Sequence, residues 1–270
     1  MKKTLSLLSL LFFFFLASCS KEKVEPKVES ITATAALYEE VEILWPGTIP
    51  AGWVTVRANG SYRTIRNLNG APYGAEVQAL LPVTLPINWV AVSANGSYRT
   101  YRHIDLNGAP YGTRVEALLP ATFPINWVPI SRRTSANGHS YTTYKSLNGA
   151  PYGAEVRVVL PVSHSINWVA ISTNTDANGY SYKTLRHIDL NGAPYGTRIE
   201  ALVPTAFPIN WVPISRRTST NGHSYTTYKS LNGAPYGAEV RVVLPAVLPP
   251  GWVAVREDGS YRTYRNLNRG

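Results

Sequence analysis

Apolar and polar residues alternate in short runs along most of the chain, and the same set of runs returns several times. The last copy shows three such runs, Glu239–Pro245 (segment A), Trp252–Arg256 (segment B) and Ser260–Arg265 (segment C). A period of two predicts β-strands, because successive side chains of a strand point to opposite faces of its sheet. Beyond the apolar N-terminal stretch no segment has helical periodicity, so we expect an all-β protein.

The repeat is easiest to count from a tryptophan that opens segment B of each copy and is followed by valine. Intervals of 36, 38, 41, 43 and 41 residues separate the copies. We expect six tandem three-stranded units of about 36–43 residues, none of which is large enough to bury a core alone. We interpret the tryptophans as packing anchors between units, and the alternative is exposed, lectin-type stacking platforms. The six tryptophans are Trp53, Trp89, Trp127, Trp168, Trp211 and Trp252.

Segments B and C are separated by Asn-Gly or Asp-Gly in every unit, from Asn59-Gly60 in the first to Asp258-Gly259 in the last. These dipeptides accept the positive φ angles of a type I′ turn, so the two segments are predicted to form an antiparallel hairpin. With segment A placed before the hairpin, each unit is expected to be an antiparallel meander.

The hexapeptide Asn-Gly-Ala-Pro-Tyr-Gly occurs five times, each time between segment C of one unit and segment A of the next. Glycine and asparagine tolerate unusual φ values and proline fixes φ at about −65°, as a corner between units requires. We therefore expect a structural joint with its tyrosine packed. The alternative is a binding loop that presents the tyrosines Tyr73, Tyr111, Tyr152, Tyr195 and Tyr236.

Segment A carries a polar pair whose charges reverse in order from one unit to the next. If the A segments of adjacent units lie side by side, parallel and in register, every arginine faces a glutamate. We therefore expect adjacent units to be related by a simple rotation. The pairs are Glu76/Gln78, Arg114/Glu116, Glu155/Arg157, Arg198/Glu200 and Glu239/Arg241.

Rotated copies of one unit form either a closed ring or an open array. Six units of this length resemble the blades of a six-bladed β-propeller, although propeller blades usually have four strands. A propeller-like ring is our first expectation. The alternative is an open array of units that resemble part of a bacterial SH3-like barrel. In both arrangements residues 38–270 form a single repeat domain.

The first twenty residues are typical of an exported protein. Lys2 and Lys3 precede an apolar stretch at residues 5–16, which is shorter than the roughly 20 residues that span a membrane. The stretch ends in Leu16-Ala17-Ser18-Cys19, which resembles the lipobox of bacterial lipoproteins. This resemblance implies that residues 1–18 are removed as a signal peptide and that lipid on Cys19 anchors the protein to a membrane.

The residues that follow the lipobox extend this picture. Ser20 and the Lys21-Glu22 pair resemble sorting signals of bacterial lipoproteins, which implies the outer membrane or the cell surface. Residues 19–37 are charged, contain proline and are predicted to form a flexible tether. Because Cys19 is the only cysteine, no intramolecular disulfide can stabilise the repeat domain.

The chain is basic, with a formal charge of +10, and much of this charge stands beside tyrosine in segment C and its turn. Exposed tyrosine and arginine on a strand bind sugars by stacking or anions by charge. Alternatively, the tyrosines point into the core and the cations are solvated. Besides the five joint tyrosines, the candidate ligand-binding residues are Tyr62, Arg63, Tyr98, Arg99, Tyr101, Arg102, Arg132, Arg133, Tyr182, Lys183, Arg216, Arg217, Tyr261, Arg262, Tyr264 and Arg265.

Residues typical of catalysis are few. His103 and His187 each precede an aspartate by two residues, but metal sites need three or four ligands, and we interpret the histidines as solvated loop residues. No nucleophile elbow, phosphate loop or His-Glu-x-x-His motif occurs. We therefore expect no cofactor, no metal and no catalytic residue. The remaining histidines are His139, His164 and His223.

These observations predict a surface-anchored lipoprotein that binds without catalysis through weak sites multiplied by the repeat. The expected ligand is a glycan or an anionic cell-surface polymer, and intracellular nucleic acid is not expected for an exported protein. One alternative is a structural or adhesion protein that contacts other proteins. Another is a carbohydrate-active enzyme with one site in a central channel.

Overall fold

The computed structural model describes residues 36–269, which form eighteen β-strands in six three-stranded antiparallel sheets. The predicted signal peptide, Cys19 and nearly all of the predicted tether lie outside these residues. The all-β class and the six tandem three-stranded units are confirmed. The strands are β1 Glu40–Leu44, β2 Trp53–Asn59 and β3 Tyr62–Asn67 in unit 1; β4 Glu76–Leu80, β5 Trp89–Asn95 and β6 Tyr98–His103 in unit 2; β7 Arg114–Leu118, β8 Trp127–Thr134 and β9 Ser140–Ser146 in unit 3; β10 Glu155–Val159, β11 Trp168–Thr175 and β12 Ser181–His187 in unit 4; β13 Arg198–Leu202, β14 Trp211–Thr218 and β15 Ser224–Ser230 in unit 5; and β16 Glu239–Val243, β17 Trp252–Asp258 and β18 Tyr261–Asn266 in unit 6.

The order of strands within each sheet differs from the expected meander. The predicted hairpin forms, but its second strand lies in the middle, so unit 1 has the order β1-β3-β2 and every other unit repeats it. The connection over residues 45–52 therefore passes across the end of the sheet rather than joining neighbours. It has to cover two strand spacings, about 10 Å, which a chain of this length spans easily.

A β-bulge interrupts each hairpin and changes the simple alternation of the second strand. In unit 1 the register moves from Thr55 opposite Ile65 to Arg57 opposite Thr64, which leaves Val56 as the extra residue. Val56 lies in the same apolar cluster as Val54. Val54 and Val56 are two residues apart and both face the next unit, and the bulge shifts the alternation of the residues that follow them.

The hydrophobic cores lie between consecutive sheets. Between units 1 and 2, for example, Val54 of β2 clusters with Val77 and Ala79 of β4, and Trp89 of β5 packs against them. Four further clusters repeat this arrangement at the next four interfaces. The expectation that units share their apolar interior is confirmed, because no three-stranded sheet could bury these side chains alone.

Of the two predicted arrangements, the structure has the open array. Each second strand contacts the first strand of the following unit, as β2 contacts β4 and β14 contacts β16. Within the described residues no contact joins the first sheet to the last, so the propeller-like ring is not formed. Contacts between consecutive units are sufficient because each interface buries apolar side chains from both units.

The expected pairing of charges between neighbouring first strands is wrong, because the partners lie within one unit. Glu76 on β4 is opposite Arg102 on β6 and forms an ion pair with it. In unit 3 the order is reversed, and Glu116 on β7 instead reaches Arg133 on β8. The first strands of adjacent units are not neighbours in any sheet, so their charges do not face one another.

Candidate functional site

The hexapeptide forms the joint between units, as expected, and its backbone is held in place. In the first joint, Gly70 and Gly74 have φ angles of 80° and 91°, which favour glycine. The amide of Gly74 donates to the carbonyl oxygen of His103, over 2.7 Å, and the amide of Ala75 donates to that of Pro72. The joint is therefore a fixed corner attached to the end of the sheet that follows it.

One side chain at the end of each third strand fixes the joint that precedes its unit. In unit 3 the hydroxyl of Ser146 donates to the carbonyl of Ala109 over 2.8 Å, and in unit 6 the amide of Asn266 donates to that of Ala234. His103 and His187 have this position in units 2 and 4, where Nδ1 lies 3.3 Å and 3.1 Å from the carbonyls of the joint prolines. These two histidines are joint contacts rather than freely solvated residues.

Three of the five joint tyrosines are displayed to solvent. Tyr73, Tyr152 and Tyr236 are 59%, 61% and 56% exposed. The ring of Tyr73 lies 4.8 Å from the ring of His103, and the guanidinium of Arg269 lies 5.3 Å from the ring centre of Tyr236. The three belong to the joints before units 2, 4 and 6, so the display recurs at every second unit.

The other two joint tyrosines are packed. The ammonium of Lys145 lies 4.4 Å from the ring centre of Tyr111 and donates to its hydroxyl over 3.2 Å. The hydroxyl of Tyr111 in turn lies 3.4 Å from the carbonyl oxygen of Glu155 in unit 4. Tyr195 makes the same contacts with Lys229 and Glu239. Joints with a packed tyrosine and joints with an exposed tyrosine therefore alternate along the array.

The reversal of charges in the first strands coincides with this alternation. Where the strand begins with glutamate, as at Glu76, the opposite residue is an arginine that binds it, and the joint tyrosine is exposed. Where it begins with arginine, as at Arg114, the opposite residue is Lys145, which has no carboxylate to bind there and covers Tyr111. The charge order thus identifies which joints display tyrosine.

Most of the candidate arginines are engaged by carboxylates. The side chain of Arg133 donates to Glu116 and that of Arg217 to Glu200, and these hydrogen bonds hold the pKa of both carboxyls below its usual value. The remaining pairs are Arg102 with Glu76, Arg262 with Glu257 and Arg265 with Glu239. Their charge is locally balanced, which weakens a purely electrostatic attraction for a polyanion.

The other candidates on the third strands and their turns vary in exposure. Tyr101 is buried in the core between units 1 and 2, and Tyr264 packs against the core between units 5 and 6. Arg132 and Arg216 are exposed and form no ion pair within the described residues. Tyr62 is exposed, whereas Arg63, Tyr98, Arg99, Tyr182, Lys183 and Tyr261 are half-buried.

The six tryptophans lie where packing anchors are expected. Trp53, Trp127, Trp168 and Trp211 are buried, and Trp89 and Trp252 are half-buried. The indole nitrogen of Trp127 donates to the carbonyl of Leu106, the residue just before the joint that precedes its unit, over 2.7 Å. None of the six therefore offers an open ring face like that of the three displayed tyrosines.

Sequence reasoning missed a row of exposed isoleucines. One stands two residues before the tryptophan in each of units 2 to 5, in the recurring tripeptide Ile-Asn-Trp that could have indicated it. An aliphatic side chain therefore stands at the same exposed position in four units. The members of this row are Ile87, Ile125, Ile166 and Ile209, which are 77%, 59%, 68% and 53% exposed.

Residues 36–269 contain no group of three or more side chains arranged to bind a metal ion. The same part of the chain has no helix with the length and hydropathy that a membrane crossing requires. Comparison of the chain with models of known protein families, with curated proteins and with solved structures finds no match.

Proposed function

We propose that this protein is a surface-anchored lipoprotein that binds a glycan or an anionic cell-surface polymer without catalysis. The observation that carries the proposal is the display of one tyrosine in every second joint, at Tyr73, Tyr152 and Tyr236. An aromatic ring with one open face is the side chain on which sugars stack. Lipid on Cys19 would hold the array at the outer membrane or cell surface.

The rigid backbone of the joint favours binding. Gly74 and Ala75 are hydrogen-bonded, and the preceding carbonyl of Pro72 faces His103. Little backbone freedom is therefore lost when a ligand meets Tyr73, and the cost of binding is reduced accordingly. The same anchoring recurs at Tyr152, where the carbonyl of Pro151 faces His187.

Repetition favours a polymeric ligand over a single sugar. Stacking on one tyrosine is weak, but three sites on one array meet successive parts of a chain at high effective concentration. Because many arginines are already paired with glutamate, we assign the larger share of affinity to stacking. The cations that remain, such as Arg132 and Arg216, add attraction for an anionic polymer.

A glycan array probed with the soluble chain from Ser20 to Gly270 tests the proposal. Binding should survive about 0.5 M salt if stacking dominates, because salt screens charge contacts between exposed groups. Replacing all three displayed tyrosines by alanine should abolish the signal, and each single change should weaken it by about tenfold, as loss of one linked site does. Tyr180→Ala, which removes an exposed tyrosine outside the joints, is the matched control.

A gain of binding can be sought in the same assay. Arg114→Glu with Lys145→Arg gives unit 3 the cross-strand glutamate–arginine pair of unit 2, which should release Tyr111 and add a fourth displayed ring. Stronger polymer binding by this variant supports the proposal. Loss of the tyrosines without any change in binding would refute it, and turnover of a polysaccharide would instead establish an enzyme.

The isoleucine row supports a second candidate function, adhesion to another protein. Four exposed aliphatic side chains at equivalent positions, with Ile87 the most exposed, suit an apolar partner surface better than a sugar. If this function is correct, changing all four isoleucines to threonine should remove a cross-linked protein partner, whereas changing the three displayed tyrosines should not.

A further inference from the structure

The last sheet leaves open a face that packs against the following unit in the five sheets before it. This tail surface consists of Val253, Val255 and Leu267, which are 48%, 45% and 46% exposed. It comprises the first valine of the second strand, the bulged residue and the leucine after the third strand. In unit 1 the equivalent residues Val54, Val56 and Leu68 are all buried.

The first sheet leaves open the complementary part of the same interface. This head surface consists of Val41 and Ile43 on β1, which are half-buried. The equivalent residues on the first strands of units 2 to 6 are fully packed against the preceding unit. These residues are Val77 and Ala79, Val115 and Ala117, Val156 and Val158, Ile199 and Ala201, and Val240 and Val242.

The chain also enters unit 1 along the path of a joint. The amide of Tyr38 donates to the carbonyl of Asn67 over 2.9 Å, as the amide of Gly74 donates to that of His103. The side-chain amide of Asn67 donates to the carbonyl of Ala36, as the later third strands hold their joints. The segment before β1 is therefore held in the same way as the joints before units 2 to 6, although no unit precedes β1 in the described residues.

We propose that the tail surface of one copy binds the head surface of a second copy, so that the chains associate head to tail. The fold already joins these two types of surface five times within one chain. Tandem-repeat proteins usually end in units with a polar outer face, which keeps copies apart. The outer face of the last described sheet holds Val253 and Val255 instead.

This contact is heterologous, because two different surfaces meet. Each bound copy leaves one head and one tail free, so further copies add in the same direction and the assembly does not close. Head-to-tail association would also place displayed tyrosines on successive chains in one continuous row. Head-to-tail association does not require that those tyrosines bind a ligand.

Sedimentation velocity on the chain from Ser20 to Gly270 tests the proposal, since Ala36–Gly270 forms a compact unit of its own. The mean mass should rise between about 1 and 100 µM, the range expected for a small interface. Val255→Lys or Ile43→Lys should each weaken association by at least about tenfold, because each buries a charge in the contact. Val247→Lys, on an exposed loop of unit 6, is the control.

Mixing the two variants gives the deciding result. Val255→Lys keeps its head surface and Ile43→Lys keeps its tail surface, so an equimolar mixture should form dimers and nothing larger. If Val255→Lys alone blocks association and Ile43→Lys still dimerises, the tail surface pairs with itself and the proposal is wrong. A constant monomer mass over the whole range also overturns it. Val41→Lys replaces Ile43→Lys if circular dichroism shows that the latter unfolds.

Discussion

The side chains at one equivalent position of the units make the same kind of contact, although their residue types differ. The end of the third strand is Asn67, His103, Ser146 or Asn266 in different units, and each contacts a carbonyl in the segment before its unit. One polar group of suitable reach is enough to satisfy that oxygen. This requirement explains why two histidines that resembled metal or loop residues have a structural contact instead.

The ion pairs of units 3 and 5 predict the response of the protein to acid. The pKa values of Glu116 and Glu200 are lowered by hydrogen bonds from Arg133 and Arg217, so the folded chain binds fewer protons than the unfolded chain. Their contribution to stability is complete above the unfolded pKa, about 4.3, and is lost as the pH falls through the lower folded value.

We therefore expect the melting temperature to decline below about pH 4.5 and the double variant Glu116→Gln, Glu200→Gln to flatten that part of the curve. Calorimetry from about pH 3 to pH 7 measures this directly. Glu42→Gln is the control, since Glu42 forms no ion pair among the described residues. An unchanged acid slope in the double variant would contradict the assignment.

At the level of elements, one change of charge on a strand has two effects. Where the first strand begins with Arg114 instead of a glutamate, the opposite residue on the third strand is Lys145 instead of an arginine. Lys145 then covers Tyr111. The bulge is equally local, because one extra residue in the second strand shifts its pairing with the third strand. Details of single strands thus decide both tyrosine display and strand register.

The residue after the third strand, which is leucine in units 3 and 6, provides a matched pair of substitutions. Leu147 is buried between units 3 and 4, whereas the equivalent Leu267 is half exposed. Leu147→Ala should lower the free energy of unfolding by about 3 kcal/mol, because it leaves a cavity in a packed interface. Leu267→Ala should change it by less than about 1 kcal/mol. Urea denaturation of dilute samples measures both, and equal losses would show that the two faces are equally covered.

For the whole molecule, the open array makes position a determinant of stability. The first and last sheets each share one interface, whereas the four sheets between them share two. In such a stack, stability is approximately the sum of intrinsic and nearest-neighbour contributions. Units with the same sequence should therefore differ in how readily they open.

Strands β10 and β16 test this point, since both have the sequence Glu-Val-Arg-Val-Val. Their intrinsic rates of amide hydrogen exchange are nearly the same, so a difference in the folded chain reports local stability. We expect β16 to exchange faster than β10 by at least about tenfold in dilute solution. Equal protection of the two strands would indicate that unit 6 is stabilised by more than its one described neighbour.

The sequence by itself determined the all-β class, the six units, the hairpins and the fixed joints, because alternation and turn residues act over a few neighbours. Only the tertiary structure decided the position of the third strand in the middle of each sheet, the partners of Glu76 and Glu116, and the open array. It also decided that Tyr73 is displayed while Tyr111 is packed. These features depend on which distant segments meet, and a local pattern is compatible with several such pairings.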